Sequence, residues 1–358
     1  TNLWSDSGTG QAAQHSPVRA CMGNLLIYSE RPQDEAHILE VVTEISPAHP
    51  SRIILMLAEG DPGRPIEVGV SAQCWIGGSE KICCEHIRVR APAARVHELP
   101  GVVVPLLVSD VPVHLWWRDS FLSRLDVFER FSDDVDHLIF EGLHWTRLPE
   151  AVPEVASLIR RLKGRVSVTN FNWARLMPWQ QRIAQFFDRA LYGPELEFVR
   201  RVRIGFRATP EQLEGRHFQC LLLAGWLAGQ LGWELKEARR GSGASGDDFL
   251  FESAKAGQIE VQVRQEPEND IPTKGVQFVE LHFEGAEGPS ALTLQRDAKR
   301  ELMVVRFKRS GACELPQKIR HHSASEGTLL LRAMSQAQSG AVFDRAFGHA
   351  VDMLRRTA

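Results

Sequence analysis

The sequence lacks an excess of charge of either sign: 42 Lys and Arg stand against 45 Asp and Glu, a formal net charge of −3. A general nucleic-acid binder is thereby excluded, because such a protein needs a basic surplus to displace counterions from phosphates. The basic cluster Arg200, Arg201, Arg203 and Arg207 alternates with apolar residues and reads as a solvated strand face. Long apolar runs are missing too. The longest, Cys220–Gly229, has 10 residues, against the ~20 that a bilayer-spanning helix requires; it reads as a buried helix, and no membrane partner is expected. Cysteine is sparse. The 6 residues Cys21, Cys74, Cys83, Cys84, Cys220 and Cys313 have no metal-type spacing and read as reduced thiols of a cytoplasmic protein, not as a disulfide scaffold.

The motifs of common chemistries are absent as well. Gly241–Gly246 is glycine-rich but has neither the Lys-Ser/Thr ending nor the strand-to-helix setting of a phosphate loop. There is no G-x-S-x-G elbow and no HExxH. His86, His97, His114, His137 and His144 are scattered without a nucleophile or a paired carboxylate at a recognisable spacing, and His321-His322 are adjacent instead of helix-spaced. No catalytic residue, metal site or cofactor is expected, and the chain reads as a non-enzyme.

What is present is a change of pattern along the chain. Residues 1–16 are small and polar, without the basic start and apolar core of a secretory signal, and are expected to form a disordered tail. Apolar runs at Arg19–Ser29 and Arg52–Ala58 flank a helical spacing of Ala36, Ile38, Leu39, Val42 and Ile45, a βαβ unit. Ile66–Ile76 and Ile82–Val89 form a hairpin about Gly77-Gly78. Strands and helices then alternate to Thr169, as in a largely parallel sheet with helices on both faces. Beyond Leu196, a long helix at Pro210–Leu231 precedes strictly alternating runs such as "QIEVQVRQ" and "VQFVELHFE", which mark an antiparallel sheet with one wet face. The expected fold is thus an α/β N-terminal domain over 17–170, followed by an α+β C-terminal domain over 171–358. "RRGSGASGDD" (Arg239–Asp248) reads as a mobile loop.

One stretch asks for more than a fold role. "VTNFNWARLMPWQQRIAQFFD" (Val168–Asp188) reads as a strand end, a loop and a helix starting at Pro178, a residue suited to a first helical position. The loop carries Asn172, Trp173 and Arg175 at a strand's carboxyl end, where α/β proteins place binding sites. "LWWRD" repeats the pattern with Trp116, Trp117 and Arg118. Trp and Arg dominate interface hot spots, so these six residues are expected to bind a partner. Vicinal Cys83 and Cys84 are redox candidates, although neighbours on a strand point to opposite faces.

The segments "VRACMGNLLIY" (Val18–Tyr28), "HPSRIILM" (His49–Met56), "CCEHIRV" (Cys83–Val89), "PLLVSDVPVHLWWR" (Pro105–Arg118) and "FNWARLMPWQQRIAQFFD" (Phe171–Asp188) follow the order of one family. The chain resembles the OpcA family of glucose-6-phosphate dehydrogenase assembly proteins. The resemblance implies a non-catalytic accessory protein of the oxidative pentose phosphate pathway, with that dehydrogenase as its partner and no cofactor of its own. In photosynthetic members it also implies a link to thiol redox state. The competing expectation is an α/β protein that binds or converts a sugar phosphate through anion-capable loops bearing Ser51-Arg52 and Arg118.

Overall fold

The structure, a computed structural model, describes residues 17–357 apart from 20, 60–62, 78–79, 120–123, 143–147, 190–191, 242–245, 268–273, 286–287, 310–311, 314 and 337–339. The expected tail at 1–16 and the centre of the expected loop at 239–248 lie outside the described residues. The chain divides into two compact units that are not consecutive in sequence. Unit 1 takes the residues up to Glu141, then Leu162–Asn170 and Ser325–Gln338; unit 2 takes Gly142–Arg161, Phe171–Ala324 and the residues from Ser339.

Unit 1 is built on β1 (Pro17–Arg19), β2 (Gly23–Ser29), β3 (Ser51–Ala58), β4 (Glu67–Gly77), β5 (Glu80–Ala91), β6 (Val113–Trp117), β7 (His137–Phe140) and β8 (Ser167–Asn170). The sheet runs β1-β5-β3-β2-β6-β7-β8 with every neighbouring pair parallel, and β4 adds to β5 as an antiparallel hairpin. Counting the six strands from β2 and passing over β4, the order is 3-2-1-4-5-6, that of the doubly wound dinucleotide-binding fold. The sequence dictates this layer: every residue of β2, β6 and β7 is buried, which only strands covered on both faces require. Helix α1 (Glu35–Ile45) turns Ile38, Val41, Val42 and Ile45 to the core at helical spacing. Short helices α2 (Leu99–Val103) and α3 (Leu125–Phe131) follow β5 and β6. A late helix, α7 (Glu326–Ser335), packs on α1; Ser325 caps it by accepting from the Thr328 N–H at 3.1 Å.

Unit 2 contains α4 (Leu148–Leu162, up to Arg161), α5 (Phe171–Phe187), α6 (Leu213–Leu231) and α8 (Gly340–Thr357). Its sheet is formed by β9 (Val199–Arg207), β10 (Glu234–Arg240), β11 (Gly246–Ser253), β12 (Gly257–Gln265), β13 (Gly275–Gly285), β14 (Gly288–Asp297), β15 (Leu302–Arg309), β16 (Ala312–Cys313) and β17 (Gln317–Arg320). The order is β10-β11-β12-β9-β13-β14-β15-β16, with β17 on β15, and β12–β9 is its parallel pair. Alternation sets the faces: Val202, Ile204 and Phe206 of β9 and Ile259, Val261 and Val263 of β12 are buried on the side where α6 packs. Helix α6 ends at Gly232, whose φ of +67° suits a left-handed cap. A Cβ on Gly225 would sit 2.3 Å from the Ala346 carbonyl, so glycine is what lets α6 and α8 approach this closely.

The helix expected to start at Pro178 starts at Phe171, directly after β8, and runs through the proline. Buried Phe171, Asn172, Trp173, Ala174 and Leu176 supply packing that outweighs the loss of one helical N–H donor.

Unit 1 also buries histidine. His114 and His137 are register partners on β6 and β7 with Nδ1 atoms 3.3 Å apart, and the His49 ring meets His114 edge-on at 5.8 Å. Burial lowers His114 to about 4, reinforced by His49 and opposed by Asp136; burial, then His114, lowers His137 to about 3. Both rings are neutral in the folded state at a pH where the unfolded chain protonates them. Their contribution is therefore intact above pH ~6.5 and is lost as pH falls from there toward the folded values, by about 1.4 kcal/mol per pH unit and per histidine. The unfolding free energy from urea titrations should fall with this slope between pH ~6.5 and 5 but not between pH 7.5 and ~6.5, and a His114→Phe variant should lose part of the fall.

Candidate functional site

In a doubly wound sheet the ligand crevice opens where strand order reverses, at the carboxyl ends of the strands. Here that place lies between β2 and β6. The residue after β6 is Arg118, and the loop after β2 reads Glu30-Arg31-Pro32-Gln33-Asp34 before α1. Arg118 is only 8% exposed in its side chain; it donates to Glu326 Oε1 at 2.8 Å and reaches Asp34 Oδ2 at 3.4 Å. Its guanidinium lies 4.7 Å from the Trp116 ring centroid. Around it, Arg31 bridges Asp34 and Asp119 at 3.3 and 3.0 Å, and Arg124 holds Glu30 at 2.8 Å. Asp119 accepts the Glu30 backbone N–H at 2.7 Å. The Tyr28 hydroxyl donates to Glu30 at 3.0 Å, its ring stacks on Trp117 at 4.1 Å, and burial, then Glu30, raises its pKa.

This network sets the chemistry of the crevice. A dinucleotide pyrophosphate needs glycines for close backbone approach and a helix N-terminus left open to the anion. The loop after β2 has no glycine, the first turn of α1 is acidic with Asp34 and Glu35, and Glu326 of α7 enters the crevice. These residues do not fit a dinucleotide. Four carboxylates are set against three guanidinium groups there, which leaves one negative charge and fixes the loops. Among the described residues, no group of three or more His, Cys, Asp or Glu is placed to hold a metal ion.

The residues expected to bind a partner sit differently from that expectation. Trp116 and Trp117 are fully buried in β6, Asn172 and Trp173 are buried in the first turn of α5, and only Arg118 and Arg175 are part-exposed. Trp116, Trp117 and Arg118 belong to unit 1, and Asn172, Trp173 and Arg175 to unit 2. Within unit 2, Trp173 meets Phe343 of α8 edge-on at 5.5 Å; Asn172 donates to the Gly142 and Gly215 carbonyls at 3.0 and 3.2 Å and accepts from Arg175 at 3.1 Å. An exposed aromatic surface is thus corrected to two core anchors. The motif is dense in aromatics because they fill space at the start of a helix that has no preceding loop. Sequence reasoning missed the acidic set Glu30, Asp34 and Glu326, since the last lies about 300 positions from the first two.

The vicinal pair Cys83 and Cys84 is corrected too. Cys83 is disulfide-bonded to Cys74, its directly opposite partner on β4, so these two are not the reduced thiols expected. Cys84 points to the other face, keeps its thiol, and is pushed up to about 11 by burial, which leaves almost no thiolate at neutral pH.

The pairing of a doubly wound unit with a unit built on a large, mostly antiparallel sheet places the molecule in a known structural class. A "putative oxidoreductase" from Erwinia carotovora atroseptica superposes with a TM-score of 0.52 at 9% identity, covering 94% of this chain and 99% of that one; the likeness is one of fold alone. Family models described as the glucose-6-phosphate dehydrogenase subunit N-terminal domain and C-terminal domain match residues 42–157 and 166–347. The chain belongs to this OpcA family. It is 26% identical over 218 residues to the "Putative OxPP cycle protein OpcA" of Synechocystis sp., and 27% identical over 235 residues to that of Nostoc punctiforme. The matches cover 59% and 64% of this chain but 44% and 49% of those relatives, so the chain spans about half their length.

Replacing Trp173 by Ala should cost about 3–5 kcal/mol of stability, as for a large buried aromatic, read as a drop in the denaturant midpoint. A residue acting only at a partner surface would leave that midpoint in place.

Proposed function

We propose that this chain is a non-catalytic accessory protein that binds glucose-6-phosphate dehydrogenase and promotes its assembly or active state. The observation that carries the reading is the family match, whose two models together reach from residue 42 to 347 and are described by that enzyme's name. The crevice supports it: a doubly wound sheet whose switch point is occupied by its own arginines and carboxylates keeps the scaffold of an oxidoreductase without a cradle for its cofactor.

The physical mechanism is a population shift. A protein that binds the active arrangement of an enzyme more tightly than the inactive one moves the equilibrium by the difference in binding free energy. A coupling of ~1–3 kcal/mol changes the ratio about 5–150-fold.

The host's own dehydrogenase, assayed with and without this chain and passed with it over a size-exclusion column, should gain activity and co-elute. Neither gain nor co-elution, under reducing and under oxidising conditions alike, overturns the reading.

A further inference from the structure

Among the described residues of unit 2 lie a pair of cavities of about 380 Å³ each, equal in size and different in electrostatic character. One lies along β10, β11 and β12, and its charges are matched: Arg239 pairs with Glu237 at 2.7 Å, Glu260 with Arg201 at 2.8 Å, Arg200 with Glu284 at 3.7 Å, and Asp248 with Arg264. The other lies where the ends of β9, β13, β14 and β15 meet, and its cations are not matched. Arg207 donates to the Pro267 carbonyl at 3.1 Å and to Gln277 Oε1 at 3.2 Å; Arg306 donates to Gln295 Oε1 at 3.2 Å. Arg296 donates to the Lys274 carbonyl at 3.2 Å and the Ser323 hydroxyl at 2.7 Å. Every one of these acceptors is neutral. Lys299 has no ion pair among the described residues; the wall also carries two carboxylates, Asp297, which is paired with Arg300 at 3.3 Å, and Glu266, so its four cations Arg207, Arg296, Lys299 and Arg306 exceed its carboxylates by two.

We propose that this second cavity is a binding site for a small oxyanion of the phosphate-ester class. A concavity whose cations outnumber its carboxylates focuses a positive field, and the guanidinium fork matches the spacing of phosphate oxygens. The backbone is shaped for it. A register shift between Val276 and Phe278 places Gln277 in a bulge, where its amide is held by the Gly275 carbonyl at 2.8 Å and in turn positions Arg207. The Phe278 ring lies over Gly205, where an added Cβ would come within 2.1 Å of it, so glycine on β9 is what lets an aromatic wall form beside the arginines. Phosphate oxygens meet Arg207, Arg306 and Lys299, and the organic part of the ester meets Phe278 and Val304.

The site is tested on the isolated full chain by isothermal titration with inorganic phosphate, pyrophosphate and phenyl phosphate, at ionic strength matched with sodium chloride. Saturable binding is expected, with phenyl phosphate tighter than inorganic phosphate because of the Phe278 wall. The exposed-side double variant Lys299→Gln/Arg306→Gln should weaken binding about tenfold or more; Lys255→Gln, outside the cavity, should not. A thermal melt of each variant checks that folding is retained. No saturable binding of any of the three probes, or binding unchanged in the double variant, overturns the proposal. Because no dehydrogenase is in the titration, that failure leaves the accessory reading untouched, and failure of the accessory reading leaves this site standing.

Discussion

Burial of β2 and β6 on both faces is the constraint on which unit 1 depends. A parallel strand covered above and below has no wet side, so it must be apolar along its length, and both strands are. The demand returns at their carboxyl ends, where the backbone leaves the core and polar groups must be satisfied at once. Arg118 follows Trp117 directly and meets that demand with Asp34 and Glu326, while its flat guanidinium still packs on Trp116. Closing this end of the sheet with ion pairs stabilises the loops and removes the space that a cofactor would need. One structural decision thus accounts for both the order of the loops and the character of the crevice.

Much of the layout was legible from periodicity. Continuous apolar runs marked the parallel strands, strict alternation marked β12 and β13, and of the spacing read for α1 Ile38, Val42 and Ile45 are buried, whereas Ala36 is exposed, Leu39 is half-buried and Val41 completes the inner face. The misses have a common origin in residues whose role depends on distant partners. Strand β10, Glu234–Arg240, is so charged that it carries no strand signal alone, and it forms because β11 offers a complementary edge. Pro178 reads as a helix start only if the preceding aromatics are taken as loop; their burial against α6 and α8 residues settles them as helix.

The candidate sites show the same limit. Trp and Arg after a strand have one composition whether they face solvent or core, and neither alternation nor helical spacing could separate the two for Trp116-Trp117, since both neighbours are buried. Cys83 next to Cys84 drew attention to the wrong pair, because the strand register that sets Cys74 opposite Cys83 is a property of pairing, not of spacing. The cationic cavity was equally hidden: its arginines lie on three strands, and what distinguishes Arg207 from Arg201 or Arg203 is that it donates to a backbone carbonyl and an amide where they pair with Glu260 and Glu280.

Unit 1 is discontinuous, and this has a consequence for biosynthesis. Its sheet is complete by Asn170, yet α7, which brings Glu326 to Arg118 and Asp34, is encoded after the whole of the β9–β17 sheet. As the chain leaves the ribosome, the N-terminal half therefore waits with Arg118 short of one counter-charge and α1 uncovered until residues past 335 emerge. Of the two units, unit 1 is begun earlier in this chain and is finished only after the β9–β17 sheet has been made, so a nascent chain stalled before α7 would present an unfinished unit 1 to the quality-control machinery.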